Sequence, residues 1–357
     1  MSENPYKSLP DKAFWRRTIA APARSDVDPV GVFELRLSPE TKVATAGSCF
    51  AQHIARHLKN SGFNYYVAEP GHPILAESAR ARSNYGLFSA RYGNIYTARQ
   101  LWQLFQRAYD EFTPVETPWQ VGEDVFLDPF RPTTQPGGFI SLEELEADRR
   151  QHLAAVRTMF ETLDVFVFTL GLTECWRSRE DGAVFPLCPG VEGGVFDADR
   201  YEFYNQTVDD VVQDLTQFRN ALAKVNPAAQ IVFTVSPVPL VATAEPGANV
   251  LSATTYSKSV LRVAAESMRR AFPNVHYFPS YEIITGAFNR GAYYAADLRD
   301  VVEAGVAHVM KLFMAHATNG VTGVPPAKSV ANDMDDHLQT AGRIVEVECD
   351  EVALDKR

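Results

Sequence analysis

The stretch Val43-Ala44-Thr45-Ala46-Gly47-Ser48-Cys49-Phe50-Ala51 decides the fold of this chain. Its apolar run ends at Gly47-Ser48, and a helical pattern from Gln52 to Lys59 follows at once. A strand that turns at a glycine and restarts as a helix places the next side chain at the strand's carboxyl edge, near the unpaired N–H groups of the helix. A nucleophilic serine is often held in this way. A structural helix cap has the same pattern, so the role of Ser48 depends on partners elsewhere in the chain.

The composition is that of an ordinary globular protein. The chain has 357 residues, of which 46% are hydrophobic, and this is enough to form a large core. A formal net charge of −10 argues against nucleic-acid and anionic-membrane partners, because these attract basic patches. The four cysteines (Cys49, Cys175, Cys188 and Cys349) are far apart and form no CxxC pair. We therefore expect reduced thiols, a small-molecule partner, and no metal or other cofactor.

The sequence offers no membrane or export signal that we can recognise. Residues 1–17 include four basic side chains but lack an apolar run long enough for a signal peptide, and no later run approaches the length of a membrane span. We therefore expect a cytoplasmic protein.

Strand-like runs rich in branched and aromatic residues alternate with helical patterns, which is typical of a parallel α/β sheet. The predicted strands are Lys42–Ala46, Asn64–Val67, Asp164–Leu170, Gln230–Ser236 and Val275–Pro279. The predicted helices are Phe50–Lys59, Ala98–Tyr109, Leu142–Leu163, Val208–Val225, Thr255–Phe272 and Glu303–His316. About five parallel strands with crossover helices predict a three-layer, flavodoxin-like α/β fold.

Two long connections and two terminal segments complete the predicted organisation. We divide the chain into an N-terminal extension (1–40), an α/β domain (41–317) and an acidic C-terminal tail (318–357). Insertions at about 70–99 and 113–138 are rich in Pro, Gly, Arg and aromatic residues, as binding loops often are. The tail contains Ile344, Val345 and Val347, which suggest an edge strand or a contact in a homo-oligomer.

Polar motifs follow the predicted strands at the edge where ligands of such sheets bind. They are Gly47-Ser48-Cys49, Gly171-Leu172-Thr173-Glu174, Ser236-Pro237-Val238-Pro239 and Tyr293-Tyr294-Ala295-Ala296-Asp297. The first insertion adds Gly93-Asn94, which offers a backbone N–H and an amide donor. Acyl transfer needs a nucleophile, donors for the oxyanion, and a base held by a carboxylate. The motifs supply the first two.

These motifs resemble those of the GSCFA domain family. The family signature is spelled by Gly47-Ser48-Cys49-Phe50-Ala51, and its other blocks resemble Tyr92-Gly93-Asn94-Ile95-Tyr96-Thr97, Gly171-Leu172-Thr173-Glu174, Ser236-Pro237-Val238-Pro239 and Tyr281-Glu282-Ile283. That family is similar to the SGNH (GDSL-like) hydrolases. The resemblance implies a Ser48 nucleophile, donors at Gly93, Gly171 and Thr173, and esterase or acyltransferase activity on carbohydrate-type substrates.

The chain departs from the SGNH pattern in two blocks. Leu172-Thr173-Glu174 follows the third-block glycine where SGNH enzymes carry an asparagine donor, so Thr173 or a backbone N–H would have to replace it. In the last block Asp297 and Gly305 keep the register, but Asp300 stands in the histidine's place. A free carboxylate is too acidic to be an efficient base for a serine hydroxyl. The usual triad is therefore incomplete.

Three histidines remain as candidates for the base. His72 follows the second predicted strand, His308 lies within the last helix, and His53 lies on the helix that follows Ser48. We rank His72 and His308 about equal, and each can equally be an ordinary surface or packing residue.

Other groups near the predicted edge have a functional and a structural interpretation. Cys49 can be a nucleophile at a helix N-terminus or a buried packing residue, and we favour packing. Glu174 can be a base, but an ion pair with Arg177 is the commoner arrangement. Lys258 can hold an anion or lie on a solvated helix face.

We expect a serine esterase or acyltransferase that acts on an O-acyl carbohydrate, most simply O-acetyl, or on a similar small metabolite. The predicted site consists of catalytic Ser48, Asp297, His308 and His72 together with binding residues Gly93, Asn94, Gly171, Thr173, Glu174 and Ser236. The alternative is a non-catalytic carbohydrate-binding protein on a disabled scaffold, because Asp300 replaces the expected histidine.

Overall fold

The computed structural model describes residues 4–48, 50–318 and Leu354. The strands in chain order are β1 (Val43–Gly47), β2 (Trp119–Gln120), β3 (Phe126–Leu127), β4 (Val165–Leu170), β5 (Glu174–Ser178), β6 (Val184–Phe185), β7 (Tyr201–Asn205), β8 (Gln230–Val235) and β9 (Val275–Tyr277). The helices are α1 (Phe50–Asn60), α2 (Glu77–Arg82), α3 (Ala98–Ala108), α4 (Leu142–Thr162), α5 (Val208–Val225), α6 (Val250–Ala271), α7 (Ser280–Thr285) and α8 (Glu303–Thr318). Short helical turns cover Pro5–Ser8, Asp11–Ala13, Arg16–Ala20, Arg24–Asp26 and Ala287–Asn289.

The central sheet is parallel and has the order β1-β4-β8-β9. The predicted second strand, Asn64–Val67, is reduced to a single parallel bridge between Val43 and Tyr65. The chain leaves the sheet edge directly afterwards, because the N–H of Ala68 bonds to Ser89 rather than to β1. The expectation of about five strands is therefore wrong by one strand, although the bridge keeps the position that the second strand would occupy beside β1.

Helices cover both faces of this sheet, as the three-layer prediction requires. Phe166 and Phe168 of β4 pack with apolar side chains of α3, α4, α5 and α6. Val165 and Val167 point to the opposite face and pack with α1 and α8. The continuous apolar sequence of β4 follows from this burial on both faces.

The segment before β1 packs onto the α1–α8 side of the sheet. Val30, Phe33, Leu35 and Leu37 belong to the same buried cluster as α8. The backbone N–H of Leu37 also donates to Ala317 at 2.7 Å. This part of the predicted N-terminal extension thus contributes to the core.

A second, antiparallel sheet of order β6-β5-β7 lies between β4 and α5 in the chain. It was not predicted from the sequence, because its strands have only two to five residues, and β5 and β7 are partly exposed, so that the periodic signal is weak. The 113–138 insertion contains the β2–β3 hairpin, and the 70–99 insertion contains α2. The predicted tail elements Ile344, Val345 and Val347 lie outside the described residues.

Candidate functional site

The turn after β1 requires a glycine at position 47. Gly47 has φ +133°, and an added Cβ would lie 2.8 Å from Cβ of Thr169 and closer still to the carbonyl oxygen of Thr169. That carbonyl oxygen accepts the backbone N–H of Ser48 at 3.3 Å, and the carbonyl of Ser48 accepts the N–H of Ala51 at 2.9 Å. Ser48 thus lies between the carboxyl end of β1 and the first turn of α1, as predicted.

The Ser48 side chain is buried, with 3% exposure. Its Oγ has no hydrogen-bond partner among the described residues, and the same holds for the buried Nε2 of Gln52, one helical turn further along. Buried polar atoms without partners are rare in folded proteins and often belong to functional sites. Gln52 was not predicted from the sequence, since a single glutamine on a helix carries no motif. Cys49 lies outside the described residues.

The second block, residues 92–97, is fixed directly beside this turn. The backbone N–H of Ile95 donates to the carbonyl of Gly47 at 2.9 Å, and the hydroxyl of Tyr92 donates to the carbonyl of Thr45. Gly93 has φ +69°, a conformation that favours glycine, and Asn94 is buried. The predicted Gly93-Asn94 donors therefore lie in a loop that is bonded to the residue preceding Ser48.

A buried network of charges anchors the second block from behind. The guanidinium of Arg91 donates to Asp148 and Gln135, both at 2.6 Å, and to the carbonyls of Ser83 and Thr134. A buried guanidinium with several acceptors orients the backbone that carries it.

Glu69 and His152 form a second part of this anchor. Glu69 accepts the backbone N–H of Arg91 at 2.7 Å and contacts Nδ1 of His152, also at 2.7 Å. Burial, followed by the charge of Arg131, lowers the pKa of His152. Sequence reasoning missed this pair, because the two residues are 83 positions apart.

The third block packs against the second. Gly171 and Leu172 both donate their N–H groups to the carbonyl of Tyr96, at 2.9 and 3.1 Å. A Cβ at Gly171 would lie 3.0 Å from that oxygen, so the close approach of the two blocks favours glycine at this position.

Lys258 reaches the third block from α6. It is 2% exposed, and its Nζ donates to the carbonyl of Gly171 at 2.5 Å. The interpretation of Lys258 as part of a solvated helix face is therefore wrong. A buried basic group belongs to this edge of the sheet.

The polar groups of Thr173 are already bonded. Its N–H donates to Oγ of Ser257 at 3.0 Å, and its hydroxyl donates to Oδ1 of Asn205 at 2.7 Å. Thr173 thus joins α6 to β7 in this structure, and its hydroxyl would have to break the bond to Asn205 before it could donate to a substrate.

Glu174 binds groups other than those expected. It accepts the hydroxyl of Thr243 at 2.6 Å and the N–H of Ala244 at 3.3 Å, and burial raises the pKa of its carboxyl. The expected ion pair with Arg177 is wrong, since Arg177 pairs with Glu202 at 2.5 Å across β5 and β7.

The fourth block (residues 236–239) and the last block (residues 293–305) meet at the same edge of the sheet. Ser236 is buried, and its Oγ accepts the N–H of Val238 at 3.3 Å. The hydroxyl of Tyr294 donates to the carbonyl of Pro237 at 2.7 Å, and Arg299 donates to the carbonyl of Pro239 at 3.3 Å. Hydrogen bonds between neighbouring blocks thus connect Gly47 to the second block, the second to the third, and the fourth to the last.

Comparison with known families identifies the domain. The model of the GSCFA family matches residues 42–313, a span that contains every block described above. The chain belongs to the GSCFA family. A comparison with curated proteins found no match.

The last block of this GSCFA protein does not bring a histidine to Ser48. Asp297 is exposed, and its Oδ1 accepts the backbone N–H groups of Arg299 and Asp300, both at 3.1 Å. This bonding makes it a turn residue, and no described histidine contacts it. Asp300, which the sequence resemblance was expected to align with the SGNH histidine, is also exposed.

The two histidines ranked highest from sequence lie in other surroundings. His308 is buried on α8, where its Nδ1 bonds to the hydroxyl of Tyr293 at 2.8 Å and its ring packs against Phe288. His72 is exposed, and its Nδ1 accepts the N–H of Ile74 at 3.2 Å. Neither imidazole is hydrogen-bonded to Ser48 Oγ.

The described part of the GSCFA protein contains neither a metal-binding cluster nor a membrane-spanning helix. In residues 4–48, 50–318 and 354, no three His, Cys, Asp or Glu side chains are grouped so that they could hold a metal ion. Over the same residues, every helix is too short or too polar to cross a bilayer.

Proposed function

We propose that this GSCFA protein is a serine esterase or acyltransferase that acts on an O-acyl carbohydrate or a similar small metabolite. The observation that supports this most strongly is the buried Ser48 Oγ, which has no hydrogen-bond partner among the described residues. A serine that only capped α1 would use this oxygen to accept an N–H of the first turn.

In the proposed reaction, Ser48 Oγ attacks the carbonyl carbon of the ester and its proton passes to a base. The oxyanion collapses, the C–O bond to the carbohydrate breaks, and the leaving oxygen takes up a proton. Water or an acceptor hydroxyl then removes the acyl group from Ser48. The first N–H groups of α1, the Nε2 of Gln52 and the Gly93-Asn94 loop are the candidate donors for the oxyanion.

Lys258 is our candidate for the base in place of a histidine. Gly47 pairs with Thr169 in the sheet, and Gly171, whose carbonyl holds the Lys258 Nζ, follows Thr169 by two residues. The amine therefore lies at the same edge of the sheet as Ser48, but, like the imidazoles of His72 and His308, it is not hydrogen-bonded to Ser48 Oγ in this structure. Serine–lysine pairs perform acyl transfer on other folds, and a neutral amine can take the Ser48 proton and return it to the leaving oxygen.

The second candidate function is carbohydrate binding without catalysis. It is favoured by the exposed Asp300 in the position of the SGNH histidine, and by the absence of a described histidine bonded to Ser48 Oγ.

A serine-reactive fluorophosphonate probe and a short-chain nitrophenyl ester test the two candidates together. We expect the probe to label the wild-type protein at Ser48, and Ser48→Ala to abolish both labelling and hydrolysis. Ser259→Ala, which removes an exposed hydroxyl on α6, is the matched control and keeps both. Hydrolysis that survives in Ser48→Ala overturns the serine mechanism. Carbohydrate binding without labelling supports the binding protein.

A further inference from the structure

A cavity of about 240 Å³ lies between the second sheet and the loop after β8. Its walls are mainly apolar and include Leu172, Trp176, Leu187, Val191, Phe203 and Leu240. An apolar cavity of about 150 Å³ is large enough to bind benzene. At a similar cavity volume per carbon atom, this cavity accommodates an aliphatic chain of about eight carbons.

The cavity is connected to the Ser48 edge by direct packing. Its wall residues Leu172 and Leu240 form one buried cluster with Tyr96. Tyr96 follows Ile95, the residue whose N–H is bonded to Gly47. The cavity thus begins at the third block, and the second block lies between it and the turn that carries Ser48.

The main ionisable group on the wall is a carboxyl that is already bonded. Glu174 accepts the hydroxyl of Thr243 and the N–H of Ala244, and burial raises the pKa of this carboxyl. A second negative charge beside Glu174 would be repelled and poorly solvated. A ligand with a neutral polar head and an aliphatic chain suits this wall better than a free fatty acid does.

We propose that this cavity binds a neutral ligand with an aliphatic chain of about eight carbons. The binding site itself follows from the cavity alone.

Calorimetric titration of the full-length Ser48→Ala protein with 1-butanol, 1-hexanol and 1-octanol tests the binding site without any catalytic step. Each buried methylene strengthens binding by about fourfold, so we expect affinity to rise steeply from butanol to octanol. Sodium octanoate at pH 8 should bind at least about tenfold more weakly than 1-octanol, because Glu174 repels its charge.

Two valines in one loop provide a matched pair of variants. Val191 lines the cavity, whereas Val195 is 77% exposed and is not part of the wall. Val191→Asp should weaken 1-octanol binding by at least about tenfold through the buried charge, and Val195→Asp should leave it unchanged.

The proposal would be overturned by no binding of 1-octanol, by equal affinities for butanol and octanol, or by equal effects of the two valine variants. Leu354 also borders the cavity. Binding of 1-octanol that appears only in Leu354→Asp would make the chain's own C-terminal segment the occupant, and would overturn the ligand site as well. Octanol binding without ester hydrolysis would support the cavity site and count against the proposed enzyme, so the two proposals fail separately.

Discussion

Ile95 donates its backbone N–H to the carbonyl of Gly47 at 2.9 Å, one residue before Ser48. This bond joins a loop about 50 residues away in sequence to the turn after β1. It positions Gly93-Asn94 and Ser48 as one unit, so the geometry of the site depends on both the glycine turn and the network that holds the second block.

Gly47→Ala should destabilise the protein severely. The new Cβ would clash with the backbone and Cβ of Thr169, and alanine would have to adopt φ +133°. We expect a loss of at least about 3 kcal/mol in the free energy of unfolding, measured by urea denaturation. Gly122→Ala is the control, because Gly122 also has a positive φ but open space around it. Gly122→Ala should lower the free energy of unfolding by about 1 kcal/mol. Equal losses of stability in Gly122→Ala and Gly47→Ala would show that the steric contact with Thr169 is unimportant.

Arg91→Lys should loosen the second block. An ammonium cannot reach Asp148, Gln135 and two carbonyls at once as the guanidinium does. We expect a loss of about 2–3 kcal/mol in unfolding free energy and faster proteolysis within residues 83–97. Arg150→Lys, on an exposed face of α4, should change neither quantity. If the two variants behave alike, the Arg91 network does not hold the loop.

The sequence predicted the parts of this fold that have strong periodic signals. The central strands β1, β4, β8 and β9 and the long helices were found within two residues of their observed bounds, except that α6 begins at Val250 and not at Thr255. Burial on both faces of the strands and on one stripe of the helices shapes their composition. The prediction of a full second strand was wrong, because the length of this strand depends on its pairing with β1, and only Tyr65 pairs there, with Val43. Short strands such as Val184–Phe185 are too brief for a periodic signal.

Only those parts of the candidate site that consist of residues adjacent in the sequence could be predicted. The Gly47-Ser48 turn and Gly93-Asn94 are local motifs, and the structure brings them together. The surroundings of Lys258 and the Glu69–His152 contact come from residues that are distant in the chain. No local pattern marks which buried lysine or histidine will face such a site.

His53→Gln should reduce the loss of stability on acidification. Burial, followed by the charges of Arg56 and His57, lowers the pKa of His53 to about 4. The unfolded chain therefore takes up this proton near pH 6.5, before the folded protein does, and stability falls as the pH drops from 6.5 to 4. We expect His53→Gln to remove about 2 kcal/mol of this loss, measured by urea denaturation at pH 7 and pH 4.5. The exposed His72→Gln should keep the wild-type loss, and an unchanged pH dependence in His53→Gln would contradict the assignment.

Lys258→Met tests whether the buried amine at Gly171 takes the Ser48 proton. Methionine has a similar length and can fill the buried site, but it cannot accept a proton. We expect kcat for a nitrophenyl ester to fall at least about 100-fold with KM nearly unchanged, and the limb of the pH profile that reports the base to disappear. Circular dichroism checks the fold, and Lys311→Met, at an exposed position on α8, should retain full activity. A normal kcat in Lys258→Met would show that another group accepts the proton of Ser48. A rise in KM alone would assign Lys258 to substrate binding.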